Sequence, residues 1–179
     1  MHNPRLTTLV VMIVAAAATR LIPHPPNLTS VTALALFGGA YFSNRRLAFV
    51  VPLIALLISD FILGFYQHME VQYLSFVLIV CIGFQLQQRR TAPRIAGAAL
   101  LSALVFFIVT NFGVWAFDSL YPKTFPGLVT CYVAAIPFFR NTLLGDLMYT
   151  AILFGGFRLL ESRFAALREQ GGAVGSLSS

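Results

Sequence analysis

Charged residues are scarce in this chain: Asp, Glu, Lys and Arg together make up 10% of its 179 residues. A soluble domain carries about a quarter charged residues, which it needs to cover its surface with polar groups. Hydrophobic residues reach 58% here. This composition excludes an ordinary soluble domain and favours a chain whose solvent is lipid.

Cysteines are also few, and Cys81 and Cys131 are the only two. Two cysteines do not form a disulfide framework. On the predicted helices they lie near opposite faces of the membrane, whereas a bridge needs Cα atoms within about 7 Å. Neither has a second Cys or His at ligand spacing, so both are predicted to pack as small hydrophobes. The sequence predicts no metal site and no cofactor.

Nucleotide-binding and catalytic motifs are missing as well. The sequence has no P-loop, no H-E-x-x-H and no G-x-S-x-G, and we therefore predict that the chain is not an enzyme. The net charge of +6 does not indicate nucleic acid, because the basic residues form short clusters between apolar runs, as at lipid headgroups. The predicted partner is the lipid bilayer.

What the chain does have is a series of apolar segments. They cover residues 6–22, 31–43, 47–66, 71–84, 95–117 and 128–160, and the last is predicted to break near Pro137 into a short helix, 128–139, and a spanning helix. The second segment would rise only about 20 Å against about 30 Å of hydrocarbon, so it is a tilted or partial span. The first segment also fits a signal peptide, but it continues directly into further membrane sequence.

These segments predict an all-α integral membrane bundle of about six transmembrane helices. It forms a single transmembrane domain, residues 1–165, with a flexible Gly/Ser-rich cytoplasmic tail at 166–179. With six spans, nine basic residues fall on one side and three on the other, which places both termini in the cytoplasm and makes the chain a multi-pass protein of the cell inner (plasma) membrane. The nine are Arg5, Arg45, Arg46, Arg89, Arg90, Arg94, Arg158, Arg163 and Arg168.

Polar residues within the apolar segments gather in the outer half of the bundle. Polar groups in hydrocarbon cost several kcal/mol unless they are paired or wetted, so this one-sidedness predicts a cavity open to the outside. The candidate substrate-binding residues are Arg20, His24, Asn27, Asp60, Asn111, Trp115, Tyr132, Arg140, Asn141 and Asp146. The alternative is structural: Asp60 pairs with Arg140, and Asn111 bonds a neighbouring helix.

Four stretches carry a resemblance to a known family. They are RLIPHPPN at 20–27, ALALFGGAY at 33–41, TNFGVW at 110–115 and CYVAAIPFFRNT at 131–142. They resemble an uncharacterised bacterial membrane family, which is thought to be related to the substrate-binding S components of energy-coupling-factor vitamin transporters.

The resemblance implies an outer substrate cavity covered by three loops: the Pro-rich loop, the loop near His68 and the loop at 121–127. It also implies a membrane coupling subunit with ATPases as a partner. No alanine pair in the first helix has the Ala-x-x-x-Ala spacing by which many S components contact that subunit. Some cobalamin-specific relatives place a cysteine on cobalt, which makes Cys131 a residue to test.

The leading hypothesis is a transport protein that binds a small, vitamin-like molecule for uptake. Arg140 would pair with an anionic group of this substrate, and Trp115 and Tyr132 would pack on its flat part. The alternatives are a membrane scaffold or assembly partner that binds no small molecule, and a membrane-embedded enzyme that uses Asp60 and His24.

Overall fold

The computed structural model describes residues 3–25 and 27–168, and all regular structure in these residues is helical. Six helices form the bundle: α1 (Pro4–Ala18), α2 (Val31–Tyr41), α3 (Arg45–Leu63), α4 (Met69–Phe84), α5 (Ala92–Phe117) and α6 (Phe125–Thr150). A 3-10 turn, Thr19–Leu21, prolongs α1. After α6 the chain continues through a π-helical turn, Ala151–Gly155, into α7 (Gly156–Arg163). The predicted all-α fold is confirmed.

Four of the helical stretches are long and apolar enough to cross a membrane: Pro4–Leu21, Arg45–Leu63, Ala92–Phe117 and Phe125–Arg163. Their outward faces are apolar too. On α3, the exposed residues Val50, Ile54, Leu57 and Phe61 recur every three or four positions, and Phe61 is 74% exposed. Such a stripe would be an aggregation hazard in water and is the ordinary surface of a helix in lipid.

Helix α2 lies at the centre of the bundle, and all eleven of its residues are buried. It is apolar on every face because other helices surround it. Gly39 lets α2 approach α4 closely, since a Cβ atom there would lie 2.2 Å from the Val80 carbonyl oxygen. Gly83 makes the reciprocal contact from α4, where a Cβ would lie 2.6 Å from the Leu36 carbonyl oxygen. The two glycines therefore let the α2 and α4 backbones touch, as small residues do in membrane bundles. Helix α2 has eleven residues, which confirms the prediction that the second apolar segment is short.

Helix α1 belongs to the bundle core through Leu9 and Ile13, which are 2% and 0% exposed. Arg5 ties its beginning to α7 through an ion pair with Glu161 at 2.5 Å, and its guanidinium also donates to the Leu167 carbonyl oxygen. Part of the predicted tail, residues 166–168, therefore packs against the beginning of α1. The remainder of the predicted tail, 169–179, lies outside the described residues.

The predicted break near Pro137 is wrong, because α6 runs without interruption from Phe125 to Thr150. Proline removes a backbone donor and crowds the preceding turn, but transmembrane helices tolerate it when neighbouring groups satisfy the freed carbonyl. Pro52 is likewise inside α3. As a consequence, Arg140 lies within α6 and not at a helix start.

The two cysteines differ in their surroundings. Both are free. Cys131 is buried, and its Sγ lies 3.5 Å from the Asn111 carbonyl oxygen. Cys81 is exposed on α4, so the prediction that it packs in the interior is wrong.

The bundle has two ends, which we name by a residue found at each. The Asp60 end holds the loop residues 22–25 and 27–30 and the loops 64–68 and 118–124, and the Arg45 end holds the beginning of α1, the loop 85–91 and the end of α7. The basic clusters lie at the Arg45 end. The buried acids Asp60 and Asp146 belong to the other half.

Candidate functional site: a cavity with a polar inner end

Arg20 and Asp60 form a buried ion pair at the Asp60 end. The Arg20 Nη2 lies 2.7 Å from the Asp60 Oδ1, and their side chains are 8% and 1% exposed. The other Arg20 terminal nitrogen, Nη1, donates to the Ser59 hydroxyl. The Tyr73 hydroxyl donates to the second Asp60 oxygen, Oδ2, at 2.9 Å. The pair joins α1, α3 and α4, and each charge neutralises the other in a medium that would penalise either alone.

A cavity of about 300 Å³, which we call the mouth cavity, lies between the start of α4, the second half of α5 and the middle of α6. Its aromatic wall consists of Tyr66, Phe106, Phe107, Phe138 and Phe139. Its polar lining includes Asn27, Gln67, His68, Thr110, Asn111 and Thr142. Apolar walls with a few polar groups are typical of small-molecule sites, and the volume is at the lower limit of the usual range.

A second cavity of about 80 Å³, which we call the polar subsite, adjoins the first. Asn27, Gln72, Phe106 and Thr142 line both cavities, which makes them neighbours. The polar subsite is further lined by Arg20, Thr29, Val31, Thr32 and Asp146. The mouth cavity therefore leads to a smaller space whose walls are mostly polar.

Unpartnered polar atoms are concentrated at this subsite. Within residues 3–25 and 27–168, five buried side-chain nitrogen or oxygen atoms have no hydrogen-bond partner. Four of them belong to residues that line the polar subsite: Arg20 Nε, Thr32 Oγ1, Gln72 Nε2 and Asp146 Oδ2. Most buried polar groups in proteins are paired, and each orphan costs about 1–3 kcal/mol. Their concentration at one small cavity indicates a site that can bind a polar group.

Local sequence explains how these side chains come together. Thr32 is in the first turn of α2 and Gln72 in the first turn of α4, so both project at the Asp60 end. Gly145 precedes Asp146 on α6, and a Cβ at Gly145 would lie 3.1 Å from backbone atoms of Thr29. The absence of that Cβ lets the backbone of Thr29 lie against α6 beside Asp146.

Two of the three predicted covering loops line the mouth cavity. Asn27 in the first loop and His68 in the second have positive φ angles of 63° and 58°, a conformation in which Asn and His are enriched. The His68 Nε2 lies 3.1 Å from the Asp118 Oδ1, and its ring stacks on Phe117 with centroids 5.4 Å apart. The third loop, 121–127, does not line the cavity, although Asp118 before it does.

Among the sequence-predicted residues, Arg20, Asn27, Asn111 and Asp146 line the two cavities. Asp60 lies behind them as the partner of Arg20. The structure thus brings together five of the ten candidates. The pairing of Asp60 with Arg140 is wrong, because Asp60 binds Arg20 and Arg140 is exposed.

The other five candidates lie outside the cavity linings. The Trp115 indole donates to the Pro122 carbonyl oxygen at 3.0 Å, and the Tyr132 hydroxyl donates to the Ile108 carbonyl oxygen at 2.7 Å, so both hold the α5–α6 hairpin together. His24 is exposed, with its Nδ1 2.6 Å from the Ile22 carbonyl oxygen. The remaining two are Arg140, which is exposed, and Asn141, which is half-buried.

Four polar residues that line the polar subsite were not predicted from the sequence: Thr29, Thr32, Gln72 and Thr142. Thr32 and Thr142 are single hydroxyls in apolar helices, which usually bond their own backbone. Gln72 carried a usable signal, since an amide in the first turn of an apolar segment is costly in lipid without a partner. In the part of the chain that the structure describes, no group of three or more His, Cys, Asp or Glu side chains is arranged to hold a metal ion.

The chain belongs to a family of unknown function (DUF6580), whose family model matches residues 1–167. Neither the curated proteins nor the solved structures include a match to the chain.

Proposed function

We propose that this chain is the substrate-binding component of a small-molecule uptake system. In the proposed arrangement it is a multi-pass protein of the cell inner membrane with both termini in the cytoplasm, and its mouth cavity opens to the outside. The excess of basic residues at the Arg45 end supports this orientation, because basic residues near helix ends favour the cytoplasmic side. The sequence resemblance to S components supports the same assignment.

The observation that carries the proposal is the set of unpartnered polar atoms at the polar subsite. A protein that serves only as a membrane scaffold gains nothing from a buried carboxylate without a partner, since such a group lowers stability. A binding protein gains an anchor, because a ligand that satisfies those atoms recovers their cost on binding. Asp146, which is 2% exposed and has an unpartnered Oδ2, is the clearest case.

The mouth cavity supplies the second part of the site. Phe106, Phe107 and Phe139 form an apolar wall where the flat part of a ligand can pack. The loops that carry Asn27 and His68 lie at its edge, and the His68–Asp118 contact connects the second loop to the end of α5. A ligand would enter past these loops and place its polar head group in the subsite.

The direct test is thermal unfolding of the purified protein in nanodiscs with a panel of water-soluble vitamins and related small molecules. A ligand present at about 100 times its Kd stabilises a protein by about 2.7 kcal/mol, which is well above the error of a melting curve. The same ligand is expected to stabilise the Gln72→Leu variant much less. Thr130→Val is the matched control, because Thr130 is exposed on α6 and bonds the Pro126 carbonyl oxygen of its own helix.

A panel in which no compound raises the melting temperature, together with co-purification of another membrane protein, would favour the scaffold function instead. Equal stabilisation of the wild type and Gln72→Leu would place the ligand elsewhere. Uptake into cells or vesicles that contain this chain alone, compared with the chain plus a coupling module, would show which energy source is used.

A further inference from the structure

The polar subsite offers no unmatched charge to a ligand. Arg20 is matched by Asp60 in the buried pair. Asp146 has no ion-pair partner among the described residues. A buried carboxyl group without a cation beside it is stable as the neutral acid. Neither an anionic nor a cationic head group would therefore find a counter-charge in the subsite, and either would have to be buried unpaired.

The hydrogen-bonding directions are equally informative. Arg20 Nε can only donate, and Gln72 Nε2 donates as placed. As a neutral acid, the Asp146 carboxyl can donate from one oxygen and accept at the other, and the Thr32 hydroxyl does either. A head group that satisfies this set offers an acceptor to Arg20 and Gln72 and a donor to the carboxyl oxygen. Water does so, and so does an amide.

The size of the subsite limits the head group to a few heavy atoms. Its volume is about 80 Å³, and a water molecule occupies about 30 Å³ in the liquid. The rest of a ligand has to occupy the mouth cavity, whose Phe106 borders both spaces. The geometry thus favours a flat apolar body with a small polar edge.

We infer that the polar subsite selects an uncharged amide-type edge, with adjacent C=O and N–H groups as in a carboxamide, a lactam or a cyclic urea, on an otherwise flat ligand. The carbonyl oxygen accepts from Arg20 Nε and Gln72 Nε2, and the N–H donates to Asp146 Oδ2. This inference rests on the proposed function, because it names the chemical class of the substrate for the same cavity.

Three probes of equal size and shape isolate the head group: benzamide, benzoate and benzamidine, which are neutral, anionic and cationic at neutral pH. Their affinities would be measured by ligand-detected NMR with the protein in nanodiscs. Benzamide is expected to bind at least tenfold more tightly than either charged probe. A benzoate or benzamidine affinity equal to or above that of benzamide would overturn the inference, and so would the absence of benzamide binding.

The variant test uses Asp146→Leu, which removes the polar oxygens and keeps the branched arrangement of the side-chain heavy atoms. Benzamide affinity is expected to fall about tenfold, as for loss of one hydrogen bond, and Thr130→Val is expected to leave it unchanged. Asp146→Leu is expected to melt at or above the wild-type temperature, because it removes a buried carboxylate oxygen that has no partner. A variant that lost benzamide binding only because it failed to fold would melt lower, and Gln72→Leu then provides the independent test, with a similar loss of affinity.

Different experimental results would refute the amide inference and the proposed function. If benzoate binds best and Gln72→Leu weakens that binding, the site is a small-molecule site and the amide inference is wrong. If the three probes and the vitamin panel all leave the protein unaffected, the proposed function is wrong as well. Unchanged benzamide affinity in both Asp146→Leu and Gln72→Leu would show that the subsite holds water only.

Discussion

Replacement of Asp60 by Asn removes one member of the buried pair and leaves its shape almost intact. The Asp60 side chain is 1% exposed and the Arg20 side chain 8%, with 2.7 Å between Nη2 and Oδ1. The amide that replaces the carboxylate could still accept a hydrogen bond, but it would not neutralise the guanidinium. Arg20 would keep the Ser59 hydroxyl as a neutral acceptor.

The expected cost follows from this burial. Loss of one partner of a buried ion pair typically destabilises a protein by about 3–5 kcal/mol, because the remaining charge is left uncompensated. The Tyr73 hydroxyl donates to Asp60 Oδ2 at 2.9 Å and would lose a charged acceptor. This loss adds about 1 kcal/mol to the destabilisation. For a chain of this length, each kcal/mol lowers the melting temperature by about 2–4 °C, so Asp60→Asn is expected to lower it by about 10–20 °C.

The assay is thermal unfolding in nanodiscs without ligand, with Glu70→Gln as the control. Glu70 is also an acid at this end of the bundle, but its side chain is 68% exposed and lies 3.3 Å from His68, so its removal is expected to cost less than about 1 kcal/mol. The double variant Arg20→Met/Asp60→Leu removes both charges and is expected to melt above Asp60→Asn. If Asp60→Asn melts within about 2 °C of the wild type, as the control should, the pair does not hold the bundle together.

Three further outcomes are expected. Gly39→Ala should lower the melting temperature sharply, because the added Cβ would lie 2.2 Å from the Val80 carbonyl oxygen. In the control Gly97→Ala, the Cβ has no atom within 4 Å, so the melting temperature should stay unchanged or rise. Equal effects of the two substitutions would show that α2 and α4 do not touch. His68→Ala, which breaks the 3.1 Å contact with Asp118, should speed ligand dissociation by a few fold in stopped-flow measurements, and an unchanged rate would exclude the loop as a barrier. The proposed orientation can be tested with an impermeant maleimide in a Cys81→Ser/Cys131→Ala background. The reagent should label Asn27→Cys in intact cells and Gln88→Cys only after lysis. The reverse labelling pattern would show that the orientation is the opposite of the one proposed.

Features of the fold that depend on one segment alone could be predicted from the sequence. The shortage of charge predicted apolar helices suited to lipid, and the length of the second apolar segment predicted a short helix, as the eleven-residue α2 is. Features that depend on contacts with another helix could not be predicted in this way. Local proline chemistry predicted a break at Pro137, but α6 continues because its neighbours and the apolar surroundings favour an unbroken helix.

Partners across the bundle were beyond the reach of one sequence. Arg20 and Asp60 are far apart in the chain, and charge alone cannot show whether Asp60 meets Arg20 or Arg140. The aromatic residues were ambiguous for a similar reason. Trp115 and Tyr132 both lie near the predicted membrane boundary, but each bonds a backbone carbonyl of the α5–α6 hairpin, while Phe106 and Phe107 turn toward the cavity.

Asp60 and Asp146 are both almost fully buried acids, at 1% and 2% exposure, yet they should respond oppositely to substitution. Asp60 has a cation and a hydroxyl as partners, so its neutralisation removes a stabilising contact. Asp146 has an unpartnered oxygen, so its replacement by Leu relieves a cost. A residue kept for stability loses stability when it is changed, whereas a residue kept for binding loses affinity and leaves the fold as stable or more so. If Asp60→Asn lowers the melting temperature and Asp146→Leu raises it while benzamide affinity falls, the first acid is part of the framework and the second is part of the site. If both variants melt lower by similar amounts, Asp146 is a structural residue, and unchanged benzamide affinity in Gln72→Leu would then show that the polar subsite is not a binding site.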